Sequence, residues 1–300
     1  MVFNKHLINL RKIVHGNLET NVSMKNHTSF RIGGNASVIL YPSELTDLLE
    51  SINYLTKHKI KYYVFGLGTN LLVTDSNLDY VLIKLGRNFN HISVMEDKII
   101  AYSGASVNSI CMLAYNNALS GMEGLFGIPG TIGGAVLMNA GAFNYCTADV
   151  VTTVVALVDG KLKVFDNIKF DYRYSMFQDI DNCVILQVEL KLNFADKAQI
   201  KEKMDSVMEQ RKQTQPLDKP SAGSVFKRCE GVVVSKKIDE LGLKGLTVGG
   251  AMVSEKHAGF IVNNRNASCK DVKQLINIIK QKFEQQCNVK LTDEIKYLGE

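Results

Sequence analysis

The stretch from Gly121 to Ala142, GMEGLFGIPGTIGGAVLMNAGA, constrains the fold more than any other part of the sequence. Seven of its 22 residues are glycine, against 23 glycines in the chain of 300 residues. Glu123 carries its only charge. Glycine tolerates positive φ angles and lets another group approach the backbone closely, at a cost in chain entropy. The stretch therefore predicts a place where bare backbone is needed.

Two interpretations of this backbone remain open. After Pro129 and Gly130, the sequence TIGGAVLMNAG predicts a short helix whose first amide N–H groups point outward and suit a pyrophosphate. The alternative is a close-packed loop between two strands. The uncharged run from Gly124 to Ala148 is 25 residues, long enough to span a bilayer. We reject a membrane helix because six glycines, a proline and two asparagines interrupt it.

Composition narrows the classes of protein and of site. A hydrophobic content of 46% suits one or two globular domains. The first residues lack an apolar core followed by a small-residue cleavage site, so we predict no signal peptide. Six cysteines without a CxxC pair and six histidines without HExxH favour a reducing, cytoplasmic location and predict no metal site.

The net positive charge of the chain comes entirely from its last third. Residues 1–194 contain 16 basic and 16 acidic residues, whereas residues 195–300 contain 19 and 14, which is the whole excess of five. This excess is too small and too interleaved with acids to predict a nucleic-acid partner. It would suit a small anionic substrate, and ordinary solvated helix faces explain it equally well.

A second glycine turn, GLGTNLL from Gly66 to Leu72, follows the apolar strand KYYVF. It is not a dinucleotide fingerprint, because Leu71 occupies the final position of GxGxxG and no helical pattern follows. No GxxxxGK[ST] occurs, which excludes a P-loop. The turn fits a second phosphate site, with Thr69 and Asn70 supplying side-chain hydrogen bonds.

The remaining patterns alternate between helix and strand. We expect an N-terminal helix over residues 1–21, a helix with Ser43 as its N-cap, a hairpin turning at Asp159-Gly160, and a helix capped by Ser268. VKLTDEIKYLG near the C-terminus predicts a final strand. A change to a charged helix near residue 195 predicts a domain boundary.

Four polar residues are candidates for a catalytic or binding role, although each also has an ordinary structural explanation. Arg31 precedes a Gly-Gly pair and could contact a phosphate or pair at the surface. Arg173 lies among aromatic residues in FDYRYSMF, where stacked packing would explain it. Ser224 could present a hydroxyl or merely turn the chain. Glu294 would by itself be assigned to the surface of a strand.

Together, in order and spacing, several motifs resemble the UDP-N-acetylenolpyruvoylglucosamine reductase family, whose members complete UDP-N-acetylmuramate for bacterial peptidoglycan. The resemblance covers roughly Val22 to the C-terminus. It is carried by SFRIGG, GLGTNLL, GIPGTIGGAVLMNAGA, YRYSMF, AGSVFKR, GLKGLTVGGAMVSEKHAGFIVN and DEIKYLG.

The resemblance implies an α+β protein. Its FAD-binding unit would have two subdomains of the vanillyl-alcohol-oxidase (PCMH) type, over residues 22–195. A substrate-binding α+β domain would follow over residues 196–300. The implied cofactors are non-covalent FAD and NADPH, and the substrate is UDP-N-acetylglucosamine enolpyruvate. We expect a monomer without membrane or nucleic-acid partners.

The family's site residues carry over by matching motifs. Arg173 would bind the substrate carboxylate, Ser224 would donate the proton, and Glu294 would help to stabilise the intermediate. The FAD-binding set is Arg31, Gly66, Gly68, Thr69, Asn70, Leu71, Gly130, Thr131, Gly133, Gly134, Ala135, Asn139, Gly141 and Ala142. The substrate-binding candidates are Tyr172, Gln215, Lys227, Arg228 and Lys256, and each of the last four could equally be solvated.

The chain departs from some members of the family at one place, and two other functions remain as alternatives. Some family members insert a segment with a tyrosine that closes over the substrate diphosphate. Here Phe177 precedes the strand at Val184 by only seven residues, so this chain resembles the shorter class. A flavin oxidase would keep the glycine turns but would need no NADPH. A non-catalytic nucleotide-binding module would keep them without any reason to combine Arg173, Ser224 and Glu294.

Overall fold

The computed structural model describes residues 2–299, with side chains from His6 onwards. The chain forms two compact units. The first contains Met1–Thr20, Val38–Leu67 and Tyr80–Glu209, and the second contains Asn21–Ser37, Gly68–Asp79 and Gln210–Glu300. These units are not continuous segments of the chain, and the domain boundary expected near residue 195 stays a prediction.

Helices and strands alternate through the described residues. The helices are α1 (Val2–Ile13), α2 (Leu45–Lys57), α3 (Val107–Asn116), α4 (Ile132–Leu137), α5 (Lys197–Thr214), α6 (Val234–Glu240) and α7 (Cys269–Cys287). The strands are β1 (Asn17–Ser23), β2 (Asn35–Tyr41), β3 (Tyr62–Phe65), β4 (Leu71–Val73), β5 (Leu78–Lys84), β6 (Ile92–Met95), β7 (Lys98–Tyr102), β8 (Leu119–Ser120), β9 (Gly141–Ala142), β10 (Tyr145–Cys146), β11 (Val151–Val158), β12 (Lys161–Phe165), β13 (Phe170–Asp171), β14 (Tyr174–Ser175), β15 (Cys183–Lys191), β16 (Asn193–Phe194), β17 (Ser221–Ser224), β18 (Thr247–Val248), β19 (Ala251–Val253), β20 (Phe260–Asn263) and β21 (Lys296–Leu298).

Within these residues no helix is both long enough and apolar enough to cross a bilayer. The glycine-rich stretch contributes one turn of 3₁₀ helix at Glu123–Leu125, the six-residue helix α4 and the two-residue strand β9. The N-terminal helix is shorter than expected. It ends at Ile13, and the strand β1 begins at Asn17. Between them, Gly16 lies so close to the carbonyl oxygen of Tyr41 that a Cβ there would clash.

The first unit is built around two sheets. One has the order β1–β2–β5–β3, with β3 and β5 parallel. The buried residues Leu48, Ile52 and Leu55 of α2 share a core with Val81 and Ile83 of β5, as helical spacing predicts.

The second sheet of this unit has the order β12–β11–β15–β7–β6, and its neighbouring strands are antiparallel. The hairpin β11–β12 turns at Asp159 and Gly160, which confirms the prediction. Helices α3 and α4 contribute buried apolar side chains to the core of this sheet.

The second unit contains the sheet β17–β20–β19–β18 and a parallel pair, β4 with β21. One apolar face of α7 packs into its core through Leu275, Ile279 and Phe283. The predicted C-terminal strand is shorter than its pattern suggested, because pairing with β4 begins only at Lys296. Glu294 therefore precedes the strand instead of lying within it.

The N-terminus of α7 is fully capped, as the Ser268 prediction requires. The Ser268 hydroxyl accepts from the Asp271 amide at 3.0 Å, and the Asp271 carboxylate accepts from the Ser268 amide at 3.0 Å. The Asp75 carboxylate accepts from the amides of Cys269 and Lys270 at 2.8 and 3.1 Å. Side chains from two segments thus satisfy the first amides of this helix.

The start of α2 differs from the prediction. The N-cap position is Glu44, and the Ser43 hydroxyl donates to the Asp47 carboxylate instead of capping the helix. Asp47 is 1% exposed. Its oxygens also accept from the amides of His15, Gly16 and Ser43 at 3.1, 3.2 and 2.9 Å, and from the His15 ring at 2.8 Å.

His15, Glu44 and Asp47 are the one group of potential metal ligands clustered within 4.8 Å among the described residues. Both Asp47 oxygens already accept hydrogen bonds from the chain. The group therefore connects α2 to the residues after α1 through hydrogen bonds. Burial by itself raises the pKa of Asp47, but the hydrogen bonds from Ser43 and His15 lower it to about 2.

Asp47→Asn should remove a pH-dependent part of the stability. A carboxyl whose pKa is lowered by folding stabilises the protein above its unfolded pKa of about 3.9, and that stability is lost as the pH falls towards 2. Between pH 5 and pH 2 the free energy of unfolding of the parent should fall by about 2 kcal/mol more than that of Asp47→Asn. Urea denaturation measures both, with the exposed Glu50→Gln on the same helix as the control. Equal pH profiles for parent and Asp47→Asn would contradict the assignment.

Candidate active site

The glycine-rich stretch ends in the predicted short helix. Thr131 is the N-cap of α4, and its hydroxyl accepts from the Gly134 amide at 3.5 Å. The first helical amides do not point outward as expected. Those of Ile132 and Gly133 donate to the carbonyls of Ala105 and Ser103 at 2.8 and 3.0 Å. Just before the helix, the amides of Gly130 and Thr131 have no acceptor among the described residues.

The first unit brings its two glycine motifs together. A Cβ at Gly66, just after β3, would clash with the Thr131 side chain, so Gly66 allows this close approach. Gly134 is exposed, and a Cβ there would meet only the Thr131 hydroxyl, at 3.6 Å. Bare backbone at Gly134 and unpaired amides at Gly130 and Thr131 fit a large anionic group such as the FAD pyrophosphate.

The second unit holds the rest of the GLGTN turn. Gly68 has a φ of 64° and lies against the carbonyl of His27, where any side chain would clash. Its amide has no acceptor among the described residues. The Asn70 side chain, expected to contact the cofactor, instead donates to the Glu294 carbonyl at 3.2 Å. Leu71 is buried in β4, and Arg31 is exposed with a φ of 54°.

Arg173 is the second of the two turn residues of the β13–β14 hairpin and has a φ of 53°. Its guanidinium donates to the carbonyls of Asn139 and Gly141 at 3.3 and 2.7 Å. The ring of Tyr172 lies 5.0 Å from the guanidinium carbon. These contacts support the packing interpretation, and the functional role of Arg173 stays a prediction. A left-handed backbone at a non-glycine residue stores strain, which is typical of functional sites.

Ser224 and Glu294 lie on neighbouring segments of the second unit. The Glu294 amide donates to the carbonyl of Val225, the residue after Ser224, at 2.7 Å. The Val225 amide in turn donates to the carbonyl of Gly259 at 2.9 Å. The Ser224 hydroxyl makes only a long contact, 3.5 Å, with the carbonyl of Phe226. Both side chains are half-buried, and the backbone segments that carry the predicted proton donor and the predicted acid are adjacent.

The predicted substrate-binding residues divide into two groups. Lys227 follows the Ser224 strand, and its amide donates to the Thr292 carbonyl at 2.8 Å, while Arg228 beside it is exposed. The ammonium of Lys256 donates to the Lys212 carbonyl near the end of α5. Gln215 accepts from Arg211 at 3.3 Å. Lys256 and Gln215 thus contact residues of α5 instead of being merely solvated, which was the alternative, and their substrate contacts stay predictions.

Three further residues have buried or electrostatically perturbed side chains that the sequence analysis did not predict. Burial lowers the pKa of Lys296, two residues after Glu294, and the nearby charge of Lys227 lowers it further. Burial also lowers the pKa of His257, whose Nδ1 accepts from the Gly259 amide at 3.1 Å. Arg211 is 4% exposed. Alternation along β21 could have suggested Lys296, whereas nothing in the local sequence marks Arg211 as buried.

Two family models match the chain. Residues 36–165 match the FAD-binding domain, and residues 215–298 match the C-terminal domain of UDP-N-acetylenolpyruvoylglucosamine reductase. These matches confirm the predicted fold class, α+β with an FAD-binding domain followed by a second domain characteristic of the reductases.

Curated relatives match along nearly the whole chain. The UDP-N-acetylenolpyruvoylglucosamine reductase of Caldanaerobacter subterraneus subsp. tengcongensis is 43% identical over 95% of both chains. That of Syntrophomonas wolfei is 40% identical, over 94% of this chain and 95% of the relative.

A solved structure agrees with these relatives. The crystal structure of UDP-N-acetylenolpyruvylglucosamine reductase from Thermus caldophilus superimposes with a TM-score of 0.82 at 33% identity, over 94% of this chain and 99% of the other. The resemblance drawn from the motifs is therefore confirmed: the chain belongs to the UDP-N-acetylenolpyruvoylglucosamine reductase family of oxidoreductases.

Proposed function

We propose that this chain reduces the enolpyruvyl group of UDP-N-acetylglucosamine enolpyruvate to UDP-N-acetylmuramate, with non-covalent FAD as cofactor and NADPH as reductant. The observation that carries the proposal is the anchored guanidinium of Arg173 in a chain that matches the family over nearly its whole length. A pinned cation suits a substrate carboxylate beside a carbon that gains negative charge.

FAD would be held mainly by backbone. Its pyrophosphate would accept from the amides of Gly130 and Thr131, beside the exposed Gly134. When bound, FAD would supply the hydride that NADPH provides. The other proposed contacts are those of Arg31, Gly66, Gly68, Thr69, Asn70, Leu71, Gly133, Ala135, Gly141 and Ala142.

Arg173 would bind the carboxylate of the enolpyruvyl group. When a hydride reaches the terminal methylene carbon, the neighbouring carbon gains carbanion or enolate character, delocalised into that carboxylate. A planar guanidinium can donate two parallel hydrogen bonds to it and so stabilises the charge as it develops.

Ser224 would give its proton to the second carbon, which completes the addition of two hydrogens across the double bond. A serine hydroxyl is a weak acid, so the reaction needs groups that stabilise the alkoxide while it forms. Glu294, carried on the segment that bonds to Val225, would help to stabilise the intermediate through its protonated form or a water.

The substrate diphosphate would lie near the basic residues that follow Ser224. Lys227 and Arg228 are the proposed cations, with Tyr172, Gln215 and Lys256 as further candidates. The connection that carries a tyrosine in longer relatives is short here, since Met176–Gln178 forms one turn of 3₁₀ helix and β15 begins at Cys183. We also propose that the chain works as a monomer in the cytoplasm, where its nucleotide substrates are made.

Ser224→Ala should separate the two half-reactions. Reduction of the flavin by NADPH needs no proton at the substrate and should keep the parent rate in anaerobic stopped flow. Reoxidation by the UDP-enolpyruvyl sugar should slow by about 10²–10⁴-fold, the usual contribution of a positioned general acid.

Ser221→Ala, the same change in the same strand, is the matched control and should leave both half-reactions unchanged. Equal slowing of both half-reactions in Ser224→Ala would make Ser224 structural. A reoxidation rate equal to that of the parent would assign the proton to water or to Glu294.

Arg228→Ala should weaken binding of the UDP-sugar. Loss of a charge-assisted hydrogen bond is worth roughly 1.5–3 kcal/mol, so the KM should rise by about 10- to 100-fold with unchanged flavin content. Arg265→Ala, which removes another exposed arginine of the second unit, controls for loss of positive charge. If the two variants raise the KM equally, Arg228 makes no specific contact.

A further inference from the structure

We propose that Asn139 is a positioning residue for Arg173 and fixes the backbone carbonyls on which the guanidinium rests. The inference depends on the proposed function in one respect, that Arg173 binds the substrate carboxylate. It assigns to Asn139 a role different from the cofactor contact expected from the sequence.

Both ends of the Asn139 side chain are engaged within the first unit. Its amide nitrogen donates to the carbonyl of Asp171, at the end of β13, at 2.9 Å. Its amide oxygen accepts from the Ala148 amide at 3.0 Å. Asn139 is 6% exposed and has a φ of 41°, a conformation that asparagine adopts more readily than most residues. The side chain is therefore committed to internal contacts.

The bond to Asp171 joins the segment after α4 to the hairpin that carries Arg173, and the bond from Ala148 fixes the same side chain to the residues after β10. The Arg173 guanidinium adds bonds between the same two segments, since it donates to the main-chain carbonyls of Asn139 and Gly141 at 3.3 and 2.7 Å. Ser175 and Gln178 tie the other side of the hairpin to the Leu137 carbonyl, each at 2.8 Å. Asn139 is thus the one described side chain that holds the hairpin at Asp171 and also carries a carbonyl that Arg173 uses.

The physical consequence concerns the direction of the guanidinium. Both carbonyl acceptors lie within three residues, on a short stretch without regular helix. Without its side-chain bonds, this stretch would change the direction of both carbonyls together. A displacement of about 1 Å at a group that positions substrate can lower the rate by about 100-fold.

The test uses the FAD-loaded protein and the variant Asn139→Gly, which keeps the positive φ accessible. The flavin content and the rate of reduction by NADPH should match the parent. Reoxidation by the UDP-enolpyruvyl sugar should slow by about 10- to 100-fold, and the Kd of the sugar, from the shift of the flavin band, should rise.

A double-mutant cycle shows whether the effect passes through Arg173. Arg173→Lys keeps the charge but lacks the planar fork that rests on two carbonyls. In that background, Asn139→Gly should change the Kd and the reoxidation rate by about threefold at most, because the shared interaction is already lost. Additive effects in the two backgrounds would overturn the proposal.

Asn108→Ala is the matched control for loosening the glycine-rich stretch. Asn108 accepts from the Gly127 amide at 2.7 Å and does not touch the hairpin, so its loss should leave the Kd unchanged. If Asn139→Gly does not fold, Asn139→Asp replaces it, since it keeps the contact with Ala148 and loses the donor to Asp171. Loss of flavin in both Asn139 variants would make Asn139 a cofactor ligand and overturn the proposal.

Failure of the proposed function looks different. A parent protein that the UDP-sugar does not reoxidise contradicts the reductase activity, whatever the Asn139 variants do. A parent that reacts normally while Asn139→Gly reacts at the same rate contradicts only the positioning role.

Discussion

The site in the first unit depends on the contact between the guanidinium of Arg173 and the carbonyls at the end of the glycine-rich stretch. Side chains would obstruct two of the close approaches on which this stretch depends, at Gly66 against Thr131 and at Gly133 against Ser103. The carbonyls of Asn139 and Gly141 in this stretch accept from the Arg173 cation, and the amides of Gly130 and Thr131 are the ones proposed to bind an anion. In the proposed function, one run of backbone thus serves both signs of charge.

In the second unit, backbone hydrogen bonds between neighbouring segments fix the residues around Ser224 and Glu294. Val225 accepts from the Glu294 amide and donates to Gly259, so the residues around Ser224 are fixed from both sides. Asn70 bonds to the Glu294 carbonyl and accepts from the Lys296 amide. The glycine turn that is proposed to bind FAD is thus also the partner that holds Glu294.

Several elements of the fold could be predicted from the sequence, because the sequence patterns that determine them are local. Helix α4, the β11–β12 hairpin and the Ser268 cap all follow from neighbouring residues, as do the motifs that resemble the family. Other features could not be predicted, because they depend on distant partners. The amides of Ile132 and Gly133 are taken by carbonyls that follow β7, and Asn139 is taken by a hairpin some thirty residues later. The C-terminal strand is short because its partner β4 has only three residues. Arg173, Ser224 and Glu294 gained roles only through the resemblance, and those roles remain proposals.

The central claim is that this chain passes electrons from NADPH through FAD to an enolpyruvyl sugar. The most direct measurement is the visible spectrum of the purified protein under anaerobic conditions, with NADPH added first and UDP-N-acetylglucosamine enolpyruvate second. The account predicts that the flavin band bleaches with NADPH and returns with the sugar, together with a product two hydrogens heavier than the substrate. A protein without flavin, or a bleached flavin that returns with oxygen but not with the sugar, would contradict it.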